Sequence, residues 1–216
     1  MKSAVILAAG TGSRFGGDKL SQMLLGKPVL QWSVEAFLPV VDEVVIVTDN
    51  DEWKQLFPFA KFVKGGQDRH ESVKNGLLAI SKQSALVAIH DGARPLVTPE
   101  IISAAIHEAV LNRAAAPAIP VRDTIKVAEN GVVTATPERA SLFAVQTPQT
   151  FDADVIKAAL TDAVVKNLAV TDDCAAAEAM GVTIRLTPGS DENLKITTPI
   201  DLLTAEGILR KRGGLL

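Results

Sequence analysis

Apolar residues recur along the chain in two alternating rhythms. Short, largely apolar runs at residues 4–7, 44–48, 62–63, 86–89, 116–119 and 182–186 read as strands of a sheet covered on both faces. Between them, segments near residues 29–37, 68–81, 99–113, 153–166, 172–180 and 199–210 mix apolar and polar positions as amphipathic helices do. Thr98-Pro99 and Thr198-Pro199 each place a capping residue before a proline suited to a first helical turn. This β-α-β-α order predicts an α/β fold, doubly wound around a mostly parallel sheet. Ligands of such sheets bind beyond the carboxyl ends of the strands, where residues 8–19, 65–72 and 90–95 all fall.

One stretch breaks the alternation. From Val121 to Phe151 the chain carries β-rich runs on either side of Asn130-Gly131, the strongest short hairpin signal. An inserted β-hairpin without a covering helix needs a partner for its apolar face. Residues 121–145 are therefore expected to form an arm that packs on a second subunit, with folding back onto its own domain as the alternative.

Composition bounds the remainder. With 216 residues, 47% hydrophobic, 22% charged and a net charge of −3, residues 1–216 read as a single domain able to bury roughly 70% of its unfolded surface. There is no repeat or linker, and no second catalytic domain is expected after Leu216. No run approaches the roughly 18 apolar residues of a membrane span, and Met1-Lys2-Ser3 enters the first strand without a signal segment, so the expected location is cytoplasmic, with no membrane association. Apart from Arg210-Lys211-Arg212 there is no basic block, so no nucleic-acid partner is expected. The single Cys174 lies in an alanine-rich helical run and reads as a core residue.

The first strand runs into Ala8-Ala9-Gly10-Thr11-Gly12-Ser13-Arg14-Phe15-Gly16-Gly17-Asp18-Lys19, a glycine-rich turn bearing two cations. It reads as a cradle for a nucleotide triphosphate, since glycines let backbone N–H groups approach phosphate oxygens while Arg14 and Lys19 add charge. A bare tight turn would need neither cation. The spacing is not that of a P-loop, and Phe15 occupies the place of the third glycine in a dinucleotide-binding fingerprint.

Further along stand Gly65-Gly66-Gln67-Asp68-Arg69-His70-Glu71-Ser72, His90-Asp91-Gly92-Ala93-Arg94-Pro95, Pro120-Val121-Arg122-Asp123-Thr124, Gln146-Thr147-Pro148-Gln149, Thr171-Asp172-Asp173 and Asn193-Leu194-Lys195-Ile196-Thr197. In this order, together with the glycine turn, they closely resemble the 2-C-methyl-D-erythritol 4-phosphate cytidylyltransferase family of the non-mevalonate isoprenoid pathway. The resemblance extends from about residue 3 to residue 206. It implies a nucleotidyltransferase-type fold whose inserted hairpin is a dimerisation arm. The implied reaction is transfer of CMP from CTP to methylerythritol phosphate, with release of pyrophosphate, by in-line attack of the acceptor phosphate on the α-phosphorus.

The same resemblance assigns residues. Arg14, Lys19 and Lys195 are catalytic, the first two neutralising the triphosphate and Lys195 orienting the acceptor phosphate. Ala8, Ala9, Gly10, Thr11, Gly12, Gly66, Ser72 and Asp91 bind the nucleotide, and Asp91 holds Mg²⁺ or another divalent cation. Arg94, Thr124, Arg139, Thr147, Thr171 and Lys195 form the acceptor site, with Thr124 and Arg139 reaching the neighbouring subunit of a homodimer. The family lysine usually stands seven positions after the arginine. Here Ser21 occupies that place and Lys19 comes five after Arg14, a spacing similar to molybdenum-cofactor nucleotidyltransferases of the same superfamily. Lys27 is the rival.

Simpler readings stand beside these. Asp91 or Ser72 could cap a turn or helix, and Arg69 could pair with Asp68 or Glu71 at the surface. His90 reads as a packing or hydrogen-bonding residue, and neither His70 nor His107 has a ligand pattern. Two other functions share the nucleotide motifs, a ribitol 5-phosphate cytidylyltransferase and an inactive nucleotide-binding regulator.

Overall fold

The computed structural model describes residues 1–10 and 15–214. The chain opens with β1 (Lys2–Leu7), β2 (Met23–Leu24), β3 (Lys27–Pro28), α1 (Val29–Phe37), β4 (Glu43–Val47), α2 (Trp53–Leu56) and β5 (Lys61–Val63). It continues through α3 (Arg69–Ala79), β6 (Leu86–Asp91), α4 (Pro99–Asn112), β7 (Ala114–Pro120), β8 (Val127–Glu129) and β9 (Val132–Ala135). After a 3-10 turn at Arg139–Ser141 come β10 (Phe143–Val145), β11 (Gln149–Asp152), α5 (Ala153–Val165), α6 (Asp173–Ala179), β12 (Arg185–Pro188) and α7 (Pro199–Arg212).

The main sheet runs β10-β7-β11-β6-β1-β4-β5, with β12 beside β7. β1 pairs in parallel with both β4 and β6, matching Leu7 to Val47 on one side and to Asp91 on the other. The loops that follow β1, β4 and β6 therefore leave the sheet at one level. Alternate residues of each central strand face opposite layers. Ala4, Ile6 and Ile46 pack with Leu30 and Phe37 of α1, Ile102 of α4 and Leu209 of α7. Val5, Val45 and Ile89 pack with Val73 of α3, Ile156 of α5 and Ala177 of α6. Helices on both faces explain why the strands read as continuous apolar runs. The expected doubly wound, mostly parallel α/β fold is the one observed.

Three features of the main sheet depart from the sequence expectation. β11 enters antiparallel between β6 and β7, and β10 pairs antiparallel with the far end of β7. Neither was expected, because both are short and β11 carries Gln149 and Thr150, polar yet buried. The last strand begins at Arg185 rather than Val182, since the N–H groups of Gly181 and Val182 are spent on the C-terminal carbonyls of α6, donating to Glu178 and Ala177.

The hairpin is present as a separate two-stranded sheet of β8 and β9. Asn130 and Gly131 adopt φ of 49° and 81°, the left-handed pair that a type I′ turn requires. Every residue of both strands is exposed, so the hairpin does not fold back into the core of its own domain.

Candidate active site

Two clusters of expected site residues stand at the carboxyl edge of the sheet. The first joins the loops after β1 and β5. Ala8 donates its N–H to Val47 O at 2.8 Å, and Thr48 donates to Val63 O at 2.8 Å, which ties three strand ends together. A Cβ on Gly65 would stand 2.4 Å from Ala9 Cβ and 2.9 Å from Asp49 Oδ2, so only glycine allows these loops to meet. Gly66 is equally constrained, its hypothetical Cβ lying 2.3 Å from Glu71 Cβ. Asp68 caps α3 by accepting from Glu71 N at 2.8 Å. Ser72 Oγ donates to Asp68 O at 2.9 Å and accepts from Gly66 N at 3.0 Å, so the hydroxyl braces the loop and keeps one lone pair free of these bonds. Gly10 is exposed at the rim. Thr11, Gly12 and Arg14 lie outside the described residues.

Lys19 follows the turn at Phe15–Gly17 and is half-buried. Asp18 fixes this segment by accepting from Leu20 N at 2.9 Å and from the hydroxyl of Ser21. Ser21, in the place where the family lysine is expected, is thus turned onto the loop itself. Lys27 is engaged elsewhere, paired with Glu35 at 2.6 Å and lying over the Trp32 ring at 4.8 Å.

The second cluster centres on Asp91, the last residue of β6. Its side chain is only 12% exposed, with Lys195 Nζ 2.9 Å and Arg94 Nε 3.7 Å from Oδ2. Burial alone would raise the Asp91 pKa, but the charge and hydrogen bond of Lys195, with Arg69 and Arg94 behind it, bring it down to about 2. Asp91 is therefore an ionised carboxylate surrounded by cations, not a turn cap.

Lys195 is delivered by a loop pinned from beneath. Ile196 donates to Ala93 O at 2.8 Å, Arg94 Nη1 donates to Asn193 O at 2.7 Å, and the buried Asn193 amide donates to Gln146 Oε1 and Thr147 O. Thr147 Oγ1 accepts from Asp91 N at 3.2 Å and lies 2.9 Å from His90 Nδ1. His90 Nε2 faces Arg94 O at 3.3 Å, which requires the proton there, so Nδ1 accepts from the Thr147 hydroxyl. Burial lowers the His90 pKa to about 4, with Asp91 working against the shift. His90 is thus a neutral hydrogen-bonding core residue, as expected. Thr147 touches Asp91 from below, a position its motif alone did not reveal.

Thr171 is exposed at the head of α6. Arg69 pairs with neither Asp68 nor Glu71, correcting both surface readings. It reaches across to the fully buried Asp173 with two bonds of 3.0 and 2.7 Å. Thr124 and Arg139 are not brought to Asp91. Both are exposed on the arm, where Arg139 Nη1 donates to Arg122 O at 3.0 Å and Arg122 pairs with Asp191 beside the Lys195 loop.

The residues that sequence reasoning did not single out are Gln146, Gln149, Asp173 and Asn193. They support the site from within, and buried amides beside the threonine and lysine motifs were the available signal. Cys174 is buried, its thiol pKa pushed well up by burial, in keeping with a core residue.

The carboxyl edge of the sheet thus carries a closely packed pair of loops after β1 and β5 and, after β6, a carboxylate flanked by two cations. Similarity to known proteins extends over nearly the whole chain. The family model for IspD, 2-C-methyl-D-erythritol 4-phosphate cytidylyltransferase, matches residues 3–211. The enzyme of that name from Caldanaerobacter subterraneus subsp. tengcongensis is 44% identical, the match covering 97% of this chain and 99% of the relative. Among solved structures, the 4-diphosphocytidyl-2C-methyl-D-erythritol synthase of Anaerococcus prevotii superposes with a TM-score of 0.88 at 31% identity, covering 97% of this chain and 96% of the other. The 2-C-methyl-D-erythritol 4-phosphate cytidylyltransferase of Thermus thermophilus gives a TM-score of 0.83 at 31% identity, covering 95% and 98%.

Proposed function

The chain belongs to the 2-C-methyl-D-erythritol 4-phosphate cytidylyltransferase family, and from that premise we propose how its own residues carry out the reaction. The activity is CTP-dependent transfer of the cytidylyl group to 2-C-methyl-D-erythritol 4-phosphate in the non-mevalonate pathway. The acceptor phosphate oxygen attacks the α-phosphorus in line. A bond forms between that oxygen and phosphorus as the bond to the departing pyrophosphate breaks. Near neutral pH the acceptor phosphate is already largely ionised, so no general base is needed and the barrier lies in bringing anions together.

Charge neutralisation is then the main catalytic task. Arg14 and Lys19 serve the triphosphate, and Lys195 and Arg94 serve the acceptor. The single observation that carries this reading is the ionised Asp91 flanked by Lys195 and Arg94 at the carboxyl end of β6, beside the β1 loop. Ala8, Ala9, Gly10, Thr11, Gly12, Gly66 and Ser72 hold the nucleotide, with the base against the joined β1 and β5 loops. Thr147 and Thr171 complete the acceptor side.

Asp91 is also suited to a divalent cation such as Mg²⁺, because it is ionised and both cations beside it meet the same oxygen, Oδ2. Among the described residues no three His, Cys, Asp or Glu side chains gather as a ready-made metal cage, so the ion would share Asp91 with phosphate oxygens and water. When bound, it would neutralise charge on the triphosphate.

The protein acts as a homodimer, each arm carrying Thr124 and Arg139 to the acceptor site of its partner. Supporting this are the hairpin's separation from its own core and the exposed Val127, Val132 and Val133. Residues 1–216 act as one domain, in the cytoplasm. Among the described residues no helix is long and apolar enough to cross a membrane.

Pyrophosphate release measured with each nucleotide and acceptor tests the reading. CTP with methylerythritol phosphate should far exceed ATP, GTP or UTP with the same acceptor. Comparable or preferential turnover of ribitol 5-phosphate would reassign the acceptor, and no turnover with either would make the protein a nucleotide-binding regulator.

A further inference from the structure

Four motif residues that take no direct part in the proposed chemistry, Arg69, Gln149, Asp172 and Asp173, form one part-buried network at the segment that follows Thr171. Gln149, on β11, accepts from Asp173 N at 3.0 Å and Cys174 N at 3.1 Å through Oε1, while its Nε2 donates to Asp172 Oδ2 at 2.6 Å. Asp172 Oδ1 accepts from Ala175 N at 2.8 Å. The first N–H groups of α6 are thereby satisfied by side chains, and the residue immediately before that capped start is held in one place.

The same segment is gripped from the nucleotide side. Arg69 opens α3, directly after the Gly65-Gly66 loop, and forks onto Asp173. Burial works against the charge of Arg69, but Asp173, Asp91 and Asp172 outweigh it and hold its pKa above the ordinary value. One position on, His70 Nε2 donates to Val170 O at 2.8 Å, the carbonyl immediately before Thr171. Two consecutive residues of the nucleotide helix therefore bracket Thr171, one holding the residue before it and the other a residue just beyond it.

We propose that Arg69 and His70 are positioning residues that latch the acceptor-binding segment 170–173 to the nucleotide-binding helix, so that Thr171 is aligned through α3. They touch neither substrate. Their effect on the reaction is carried by where they hold Thr171, and the proposal rests on the assignment of Thr171 to the acceptor.

Steady-state kinetics with each substrate varied in turn distinguishes this from a general structural role. Arg69→Lys and His70→Ala should each raise KM for methylerythritol phosphate about tenfold while KM for CTP stays within about twofold. His70→Gln, whose side-chain amide can donate to Val170 O, should restore much of the acceptor affinity lost in His70→Ala. Parallel rises in both KM values, or an unchanged acceptor KM, overturn the latch. If Arg69→Lys does not fold, the His70 pair decides alone. Thr171→Val separates the two levels of the reading. A raised acceptor KM there with none in His70→Ala removes only the latch, whereas no change in Thr171→Val removes the acceptor assignment and the latch with it.

Discussion

Lys19 and Lys27 are the two candidates for the triphosphate lysine, and their surroundings separate them. Lys27 is committed to Glu35 and to the face of Trp32 on the surface of α1. Lys19 follows the glycine turn directly, and Ser21, at the usual family position, is bound to Asp18. Lys19→Ala should therefore lower kcat on the order of 10²- to 10³-fold with a smaller effect on CTP binding, as expected for a charge used chiefly in the transition state. Lys27→Ala should leave kcat near normal, and the opposite pattern in rapid-quench turnover would reverse the assignment. At this scale the sequence made the charged tips of the site legible, because Asp91, Arg94 and Lys195 sit in short motifs. Their supports were less so. Arg69 and Asp173 are 104 positions apart, and nothing local to either residue reveals that the fold will place one against the other.

Among the elements, the hairpin was the clearest in the sequence, since Asn130-Gly131 encodes its turn locally. β10 and β11 were hidden because they are short and because β11 carries buried Gln149 and Thr150, which depend on partners elsewhere in the fold. A lone two-stranded hairpin is marginal in water, so β8 and β9 need an outside surface. If that surface is a second copy, mixing inactive Arg139→Ala with inactive Lys195→Ala should restore activity. In the hybrid dimer one site carries both lesions and the other carries neither, provided Arg139 acts across the interface. Were Arg139 to serve its own subunit, each hybrid site would keep one lesion and the mixture would stay inactive. Sedimentation under assay conditions supplies the companion result, since a fully active monomer would remove the arm from the mechanism.

For the whole molecule, the two layers of helices around a mostly parallel sheet were legible because burial on both faces writes itself as apolar runs. The acid limit of stability is a property of the same assembly. His90 titrates near 4 in the fold against an ordinary 6.5, so between these values the unfolded chain binds more protons and stability falls as pH drops. Asp91, held near 2 against an ordinary 3.8, adds a second loss as pH drops from about 3.8 towards 2. Tm should accordingly decline from about pH 6.5 downward, and His90→Asn should flatten the upper part of that decline while lowering Tm at neutral pH. An unchanged slope in the variant would place the acid sensitivity elsewhere. The contact of Gly65 with Ala9 has a different kind of consequence. Because the loop ends after β1 and β5 already touch, their conformational freedom is surrendered once, when the chain folds, and not again each time a nucleotide arrives. A side chain at position 65 would part them and return that entropic cost to every binding event.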